Sequence, residues 1–242
     1  VCVAIGTEIA RDLPIEGRNL KGVHFALELL GQQNRTIEGI EIPAKERISC
    51  KGKKVLVIGG GDTGSDCVGT ANRQGAVSVT QIEIMPKPPV GHNPATPWPM
   101  YPMVLKTSSS HEEGCIRRWN LASNRFIGEK NTLKGVEVEE VEWLPDPNGG
   151  RPQMQLTGKK EVIEADLVFL AMGFVHPAQE GLIQELQLAI DGRKNIAVDG
   201  AQSTSAKGIF ACGDATTGAS LVVKAMASGR KTAYEIDKYL SK

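Results

Sequence analysis

The chain has 242 residues, with 28 Lys plus Arg against 28 Asp plus Glu and 27 glycines. The length allows one or two domains with an ample core, and the balanced charge gives no reason to expect a nucleic acid or a membrane as partner. Five cysteines (Cys2, Cys50, Cys67, Cys115 and Cys212) are odd in number and never spaced C-x-x-C. That excludes a disulfide framework and a zinc ribbon, and they read as reduced thiols of a cytoplasmic protein. No run approaches the ~18 apolar residues of a membrane span, and no signal peptide is visible. A start in apolar Val1-Cys2-Val3-Ala4-Ile5-Gly6 without an initiator Met reads as a piece of something longer.

In chain order, Val1 to Ile5 reads as the end of a buried strand. A turn-rich excursion follows through Arg11-Asp12-Leu13-Pro14 and Glu16-Gly17. Phe25, Leu29 and Leu30 predict a short amphipathic helix over 22–31, and 31–50 reads as a linker. Lys53 to Ile58 is a strand, Asp62 to Gln74 a helix with Gly75 at its C′ position, and Val77 to Ile84 a second strand. Residues 86–102 hold seven of the thirteen prolines and predict a long loop rather than helix or central strand. Val136 to Trp143, Gln153 to Thr157 and Glu161 to Leu170 predict three strands of an antiparallel meander, with a turn at 146–150. A short helix over 180–188 comes next, then short strands at Ile196 to Val198 and Gly208 to Cys212. A last helix over 220–240 has Leu221, Ala225, Ala233 and Ile236 spaced for one buried face. The expected class is α/β: a Rossmann-like parallel sheet with a three-stranded antiparallel β-meander.

The segment Gly59-Gly60-Gly61-Asp62-Thr63-Gly64 sits between a strand and a helix, with a second strand at the spacing of a βαβ dinucleotide-binding unit. In that pattern Gly59 makes the tight turn, Gly61 leaves room for a pyrophosphate, and Gly64 lets helix and strand pack closely. The helix N-terminus offers N–H groups and partial positive charge to the phosphates. Glu83, near the end of the second strand, stands where a carboxylate accepts ribose hydroxyls and repels a 2′-phosphate. Lys87 is the nearest cation in sequence, so the reading favours NADH over NADPH.

Gly208-Ile209-Phe210-Ala211-Cys212-Gly213-Asp214, followed by a long helix, resembles the C-terminal FAD signature of two-dinucleotide flavoproteins. The resemblance implies that Asp214 receives a ribityl hydroxyl and that a helix start at Ser220-Leu221-Val222 faces the flavin, where its dipole would stabilise negative charge. Ala4-Ile5-Gly6-Thr7 and Ala171-Met172-Gly173-Phe174 look like the paired crossings between FAD and NAD domains. No G-x-G-x-x-G precedes residue 59. The implied organisation is a partial FAD-binding domain from 1–47 and 196–242, its first half missing, with an NAD(P)H-binding domain inserted at 48–195.

Taken with Arg11-Asp12-Leu13-Pro14, Gly59 to Cys67, Glu83 to Pro86, Asn93 to Pro102, His111-Glu112-Glu113, Ala165 to Phe174 and Ser220 to Val223, the whole chain resembles the C-terminal half of the glutamate synthase small (beta) subunit family. Ile5, Met172 and Ala215 depart from the usual family residues, as do the insertion and altered second Trp in the proline-rich loop. The resemblance implies an oxidoreductase that takes hydride from NAD(P)H to FAD. Electrons would pass on through iron–sulfur clusters, whose ligands lie in the absent N-terminal region, to the large (alpha) subunit, which makes glutamate. Dihydropyrimidine dehydrogenase and ferredoxin-linked NAD(P) transhydrogenases carry the same module and are the alternatives. So is a nucleotide-binding module without turnover, if the fragment stands alone. The implied cofactor-binding residues are Gly59, Gly60, Gly61, Asp62, Thr63, Gly64, Glu83 and Gly173 for NAD(P)H, and Gly6, Gly213, Asp214, Ser220, Leu221 and Val222 for FAD.

Hydride transfer from nicotinamide to flavin needs alignment and exclusion of water rather than a protein acid or base, so no catalytic residue is named. His92, His111 and Glu112 match no metal-ligand spacing, and His111-Glu112-Glu113 reads as a solvated polar segment. Cys212 reads as a small buried apolar residue. Trp98 and Tyr101 either stack on a ligand, dock a partner domain or pack the loop. Glu137, Glu139, Glu140 and Glu142, alternating with valines, read as a solvated strand face.

Overall fold

A computed structural model describes residues 1–147, 149–150 and 152–241. The chain divides into two compact units, residues 12–172 and residues 1–11 with 173–242.

The larger unit is built on a five-stranded, wholly parallel sheet. Its strands are β3 (Val23–Phe25), β10 (Leu167–Leu170), β4 (Lys54–Ile58), β5 (Ser78–Ile82) and β6 (Ile116–Arg118), in that order across the sheet. Successive strand residues face opposite sides, and the core divides accordingly. Val55, Val57 and Phe169 pack with Ala26, Leu29, Cys67, Val68 and Ala71 of the helices α1 (Ala26–Ile37) and α2 (Asp62–Arg73). Leu56, Ile58, Val168 and Leu170 pack with Leu121, Phe126, Leu133, Val136 and Val138 of an antiparallel sheet on the other face. That second sheet runs β7 (Leu121–Glu129), β8 (Thr132–Leu144), β9 (Gln153–Glu164). The unit is therefore helices, parallel sheet and meander in three layers. Strands buried on both faces read as unbroken apolar runs, which is why Val55-Leu56-Val57-Ile58 is conspicuous in the sequence.

The α/β class and the three-stranded antiparallel sheet are as expected, but the membership of that sheet differs. Its first strand is β7, which the polar composition of 121–129 hides. The two strands expected at 153–157 and 161–170 are one long strand and a separate one. Gly158, at φ +83°, carries β9 through a register shift opposite Glu139 and Val141, and Leu167–Leu170 belongs to the parallel sheet. The expected turn at 146–150 includes Asn148, which lies outside the described residues. Helix α1 begins later than expected and runs on to Ile37, because Val23–Phe25 is committed to pairing with β10.

The smaller unit holds two short pairings. β1 (Cys2–Val3) lies parallel to β12 (Phe210–Ala211), and β2 (Ile9–Ala10) lies antiparallel to β11 (Phe174–His176). Helices α4 (Leu182–Glu185), α5 (Asp214–Thr217) and α6 (Val222–Leu240) complete it. Its core is Val3, Ile183, Leu188, Ile196, Ala211 and Ala215. Ile196 contributes an isolated bridge to Ile190 rather than the strand expected there. The expected buried face of the last helix is also corrected: Leu221 and Ala233 are exposed, Ala225 and Ile236 half-buried, and Thr232 is the one residue of α6 that is buried.

The domain boundaries expected after residues 47 and 195 fall instead after 11 and 172. Residues 12–47 join the larger unit because β3 pairs with β10 and Leu29 sits in its core. Residues 173–195 join the smaller one because Ile183 and Leu188 pack with Val3 and Ala211.

Candidate functional site

The glycine loop leaves β4 at Gly59, whose φ of +126° is closed to a side chain; a Cβ there would stand 2.2 Å from the Ala171 carbonyl oxygen. Gly64, in the first turn of α2, brings helix and strand together, since a Cβ on it would meet the Gly59 carbonyl oxygen at 2.4 Å. Gly61, the N-cap of α2, has ordinary extended backbone and open space where its Cβ would be. Among the four glycines of this loop, Gly61 alone has open space where a side chain would be; Gly59, Gly60 and Gly64 all face packing contacts. A cleft at the N-terminus of a twelve-residue helix that has no side-chain cap suits a phosphate, because the first N–H groups of a helix have no intrahelical acceptor.

Glu83 follows β5 directly. One carboxylate oxygen accepts the Gly60 N–H at 2.6 Å and the other the Met85 N–H at 3.3 Å. The acidic group thus lies against the loop that sequence spacing associates it with. A cleft of about 320 Å³ opens beside them, in the size range of small-molecule sites. Gly60, Gly61, Asp62, Ser65 and Glu83 line it on one side, and Met85, Pro86, Pro88, Tyr101 to Lys106, Ser108, His111, Arg117 and Trp119 contribute the rest.

Several of these residues carry no sequence signal as site residues. Arg117 and Lys106 are distant from Glu83 in sequence, but β6 pairs with β5 so that Gln81 stands opposite Arg117. The Arg117 guanidinium donates to the Lys106 carbonyl oxygen at 3.0 Å and lies 5.2 Å from the Trp119 ring centroid. It makes no ion pair with a carboxylate among the described residues. Its neighbour Arg118 is paired with Glu161. Lys87 lies 5.1 Å from the same Trp119 ring. Of the two aromatics singled out in the proline-rich loop, Tyr101 lines the cleft, whereas Trp98 is 92% exposed.

The reading of His111 as a solvated residue is corrected. His111 closes a capping box on the short helix α3 (Ser109–Glu112), Ser108 being the N-cap. Its ring reaches the side-chain oxygen of Gln81, 2.9 Å away. Gln81 is buried, and its amide donates to the Gly59 carbonyl oxygen at 2.8 Å. The Ser108 hydroxyl in turn meets the hydroxyl of Ser65 on α2, and α3 sits close to α2 because Gly69 faces Ser110. Burial, then the Arg117 charge, holds the His111 pKa below its ordinary value.

Glu139 is likewise not on a solvated face. It is buried, accepts from Asn124 at 2.8 Å and from the Gly158 N–H at 3.0 Å, and its pKa is lowered first by the Asn124 hydrogen bond. The register shift beside it turns its side chain inward. Cys67, in the core under α2, has its thiol pushed up to about 12 by burial, which makes it inert. No group of three or more His, Cys, Asp or Glu side chains among the described residues converges as metal ligands do. No described helix is long and apolar enough to cross a membrane.

In the smaller unit, Gly6, Gly173 and Gly213 stand at φ +70°, +79° and +68°. Gly213 caps α5, whose first residue is Asp214. The Ser220 hydroxyl donates to the Asp214 carboxylate at 2.8 Å. Leu221 is the N-cap of α6, so the expected helix start at 220–222 is realised at Val222.

A family model described as pyridine nucleotide-disulphide oxidoreductase matches residues 117–229. The chain is 42% identical over 243 residues to a "Glutamate synthase [NADPH] small chain" of Mycobacterium tuberculosis, covering 99% of this chain and 49% of that one. It is 38% identical to a "Glutamate synthase [NADH]" of Saccharomyces cerevisiae, covering 99% of this chain and 12% of that one. A Bacillus subtilis "Glutamate synthase [NADPH] small chain" is 36% identical, with 99% and 50% covered. The chain spans about half the length of the curated small chains it matches. Among solved structures, T. acidophilum thioredoxin reductase aligns at TM-score 0.62 and 22% identity, covering 100% of this chain and 66% of that one. Mycobacterium tuberculosis FprA in complex with NADPH aligns at TM-score 0.70 and 15% identity, covering 100% and 63%. The fold is that of FAD/NAD(P)-binding oxidoreductases.

Proposed function

We propose that this chain, a homologue of glutamate synthase small chains throughout its length, is the dinucleotide-binding part of an NAD(P)H-dependent oxidoreductase of that kind. The observation that carries the proposal is the vacancy at Gly61, at the N-terminus of α2, with the Glu83 carboxylate 2.6 Å from the Gly60 N–H in the same cleft. Gly59 and Gly64 shape the loop, Gly60 fixes the Glu83 carboxylate beside it, Gly61, Asp62 and Thr63 take the pyrophosphate on backbone N–H groups, and Glu83 accepts from the ribose hydroxyls. Gly173 lies in the stretch that leaves β10 and belongs to the same dinucleotide reading.

NADH is the favoured nucleotide, because a carboxylate at the ribose repels a 2′-phosphate. A second reading, NADPH, is supported by Arg117, whose guanidinium lines the same cleft and, among the described residues, donates to the Lys106 carbonyl oxygen and the Thr107 hydroxyl rather than to a carboxylate. In the smaller unit, Gly6, Gly213, Asp214, Ser220, Leu221 and Val222 are the residues that would hold FAD. When bound, the reduced nicotinamide supplies a hydride and the flavin accepts it. The residues of this chain bind and orient; none is required to move a proton. In the whole protein, electrons would go on through iron–sulfur clusters held by its N-terminal region to a large subunit that forms glutamate. The isolated chain binds nucleotide without turnover.

Calorimetric titration of the chain with NADH and, separately, NADPH tests this. NADH binds, Gly61→Val abolishes binding, and Glu83→Ala weakens NADH roughly tenfold, the value of a hydrogen bond to a charged group. Tighter NADPH binding that is lost in Arg117→Ala establishes the second reading. Binding of neither nucleotide overturns both. A colourless preparation that does not pass electrons from NADH to an artificial acceptor fits the isolated chain, and turnover by it would contradict that part of the proposal.

A further inference from the structure

The cleft is floored by a polar chain that nucleotide contact alone does not explain. The carbonyl oxygen of Gly59 accepts from the Gln81 amide at 2.8 Å. The Gln81 oxygen is then left as acceptor, so the His111 ring donates to it from Nε2, at 2.9 Å. With its proton on Nε2, the ring presents a bare Nδ1, and Nδ1 accepts the Ser108 backbone N–H at 3.1 Å. Gln81 is 3% exposed. Its amide is the side-chain donor on the carbonyl of Gly59, whose positive φ is one of many conformations open to a glycine, so an added hydrogen bond selects it. A buried polar chain satisfied end to end confers rigidity, and one broken link leaves its neighbours unpaired.

We propose that His111, acting through Gln81, is a positioning residue that fixes the glycine loop in its dinucleotide-ready form. The inference rests on the reading of that loop as the dinucleotide site and adds to it a residue from a different element. It also gives the proline-rich loop and α3 a role, since they carry His111 to the back of the loop.

The Ser108 backbone N–H keeps its acceptor only on a neutral ring. Protonation would put an N–H on Nδ1, which the Ser108 hydroxyl, 3.0 Å away, could accept, but the Ser108 N–H would then face a donor and lose its partner. The charged groups sharing the cleft are Asp62, Glu83, Lys106 and Arg117. Arg73 on α2 is paired with Glu113, beyond the end of α3. Burial and Arg117 both favour the neutral ring. A histidine whose folded-state pKa lies below the ordinary 6.5 contributes its full stabilisation above 6.5. That stabilisation is lost as the pH falls from there through the lowered folded-state value.

The test is a calorimetric NADH titration of the full 242-residue chain at about pH 7.5 and about pH 5.5, with His111→Gln and His111→Ala alongside. Wild-type affinity falls roughly three- to tenfold on acidification, the value of one internal hydrogen bond. His111→Gln keeps a donor to Gln81 but does not titrate, so its affinity is flat across the range. His111→Ala is weak at both values. Amide hydrogen exchange at Gly60 and Gly61, measured without ligand, quickens in His111→Ala and is near wild type in His111→Gln. Flat wild-type binding, or exchange unchanged in His111→Ala, overturns the inference. If NADH fails to bind the wild type while the exchange effect is present, the dinucleotide reading fails and the pin stands.

Discussion

Residues 12–172 bury two apolar clusters on the two faces of one five-stranded sheet, each joined to a second layer of helix or meander. Residues 1–11 with 173–242 bury one cluster of six residues, all their strands are two or three residues long, and the nineteen-residue helix α6 buries Thr232 alone. Both regions carry a glycine turn running into a helix, at Gly59 to Asp62 and at Gly213-Asp214. The difference lies in what stands behind the turn. In the larger unit the turn is packed against Ala171, Gln81 and Gly64. In the smaller one a Cβ on Gly213 would meet nothing nearer than Ala225, 3.8 Å away, and the turn is held by hydrogen bonds instead, the Gly213 N–H donating to the Ser228 hydroxyl and the Gly213 carbonyl oxygen accepting from the Thr216 hydroxyl, both at 2.9 Å. A binding loop is only as well defined as the layer beneath it. By that criterion the larger unit holds its turn by packing within its own layers, an autonomy that the smaller unit's turn, held mainly by hydrogen bonds, does not share.

The largest expected effect tests that autonomy. Leu56 is fully buried in the middle of the parallel sheet, so Leu56→Ala costs about 2–5 kcal/mol through lost burial and the cavity it leaves. If the two units unfold separately, denaturant melting followed by near-UV dichroism shows two transitions, and Leu56→Ala lowers only the more stable one. Equal shifts in both would mean that the units unfold as one and that the contrast drawn between them is false.

A second pair of substitutions separates shape from binding within the glycine loop. Gly59→Ala forces a Cβ into the Ala171 carbonyl at a left-handed φ and costs at least about 1–3 kcal/mol, so both stability and NADH affinity fall. Gly61→Val meets open space at an ordinary φ and leaves stability within about 1 kcal/mol, while NADH affinity is lost. Thermal melts and calorimetry on the two variants check this. A Gly61→Val protein that melts early would show that the vacancy is a packing site after all.

The contrast also explains how much of the molecule is legible in its sequence. The strand–loop–helix–strand over 54–82 can be read because every signal is local: an apolar run, glycines at fixed spacing and a capped helix. Glu83 is legible for the same reason. The wall of the cleft opposite is not, because Lys106, His111 and Arg117 reach it only through the pairing of β6 with β5, and no periodicity announces a three-residue strand. Buried Gln81 lies in β5 two residues before Glu83, which follows the strand, and that spacing is the one clue available. In the meander, β7 reads as polar because it is covered on one side only. The bulge at Gly158 splits one strand into two apparent ones. In α6 the helical spacing is real, but among the described residues of the helix Thr232 alone is buried.

The smallest effect on stability concerns that uncovered helix. Val222, Val223, Met226 and Tyr234 are 77%, 66%, 64% and 62% exposed, within the 3.6-residue geometry of one helix. Exposed apolar side chains that adjoin one another drive association, whereas their removal from an exposed helix changes folding by less than about 0.5 kcal/mol. Val222→Ser combined with Met226→Ser therefore leaves both melting transitions in place and shifts sedimentation at high concentration toward monomer. If the wild-type chain already sediments as a monomer, the smaller unit is less incomplete than its shallow core implies. If the double variant associates as strongly as wild type, the association runs through another surface, and the exposed edge strand β9, with Met154, Leu156 and Val162 open to solvent, is the next to substitute.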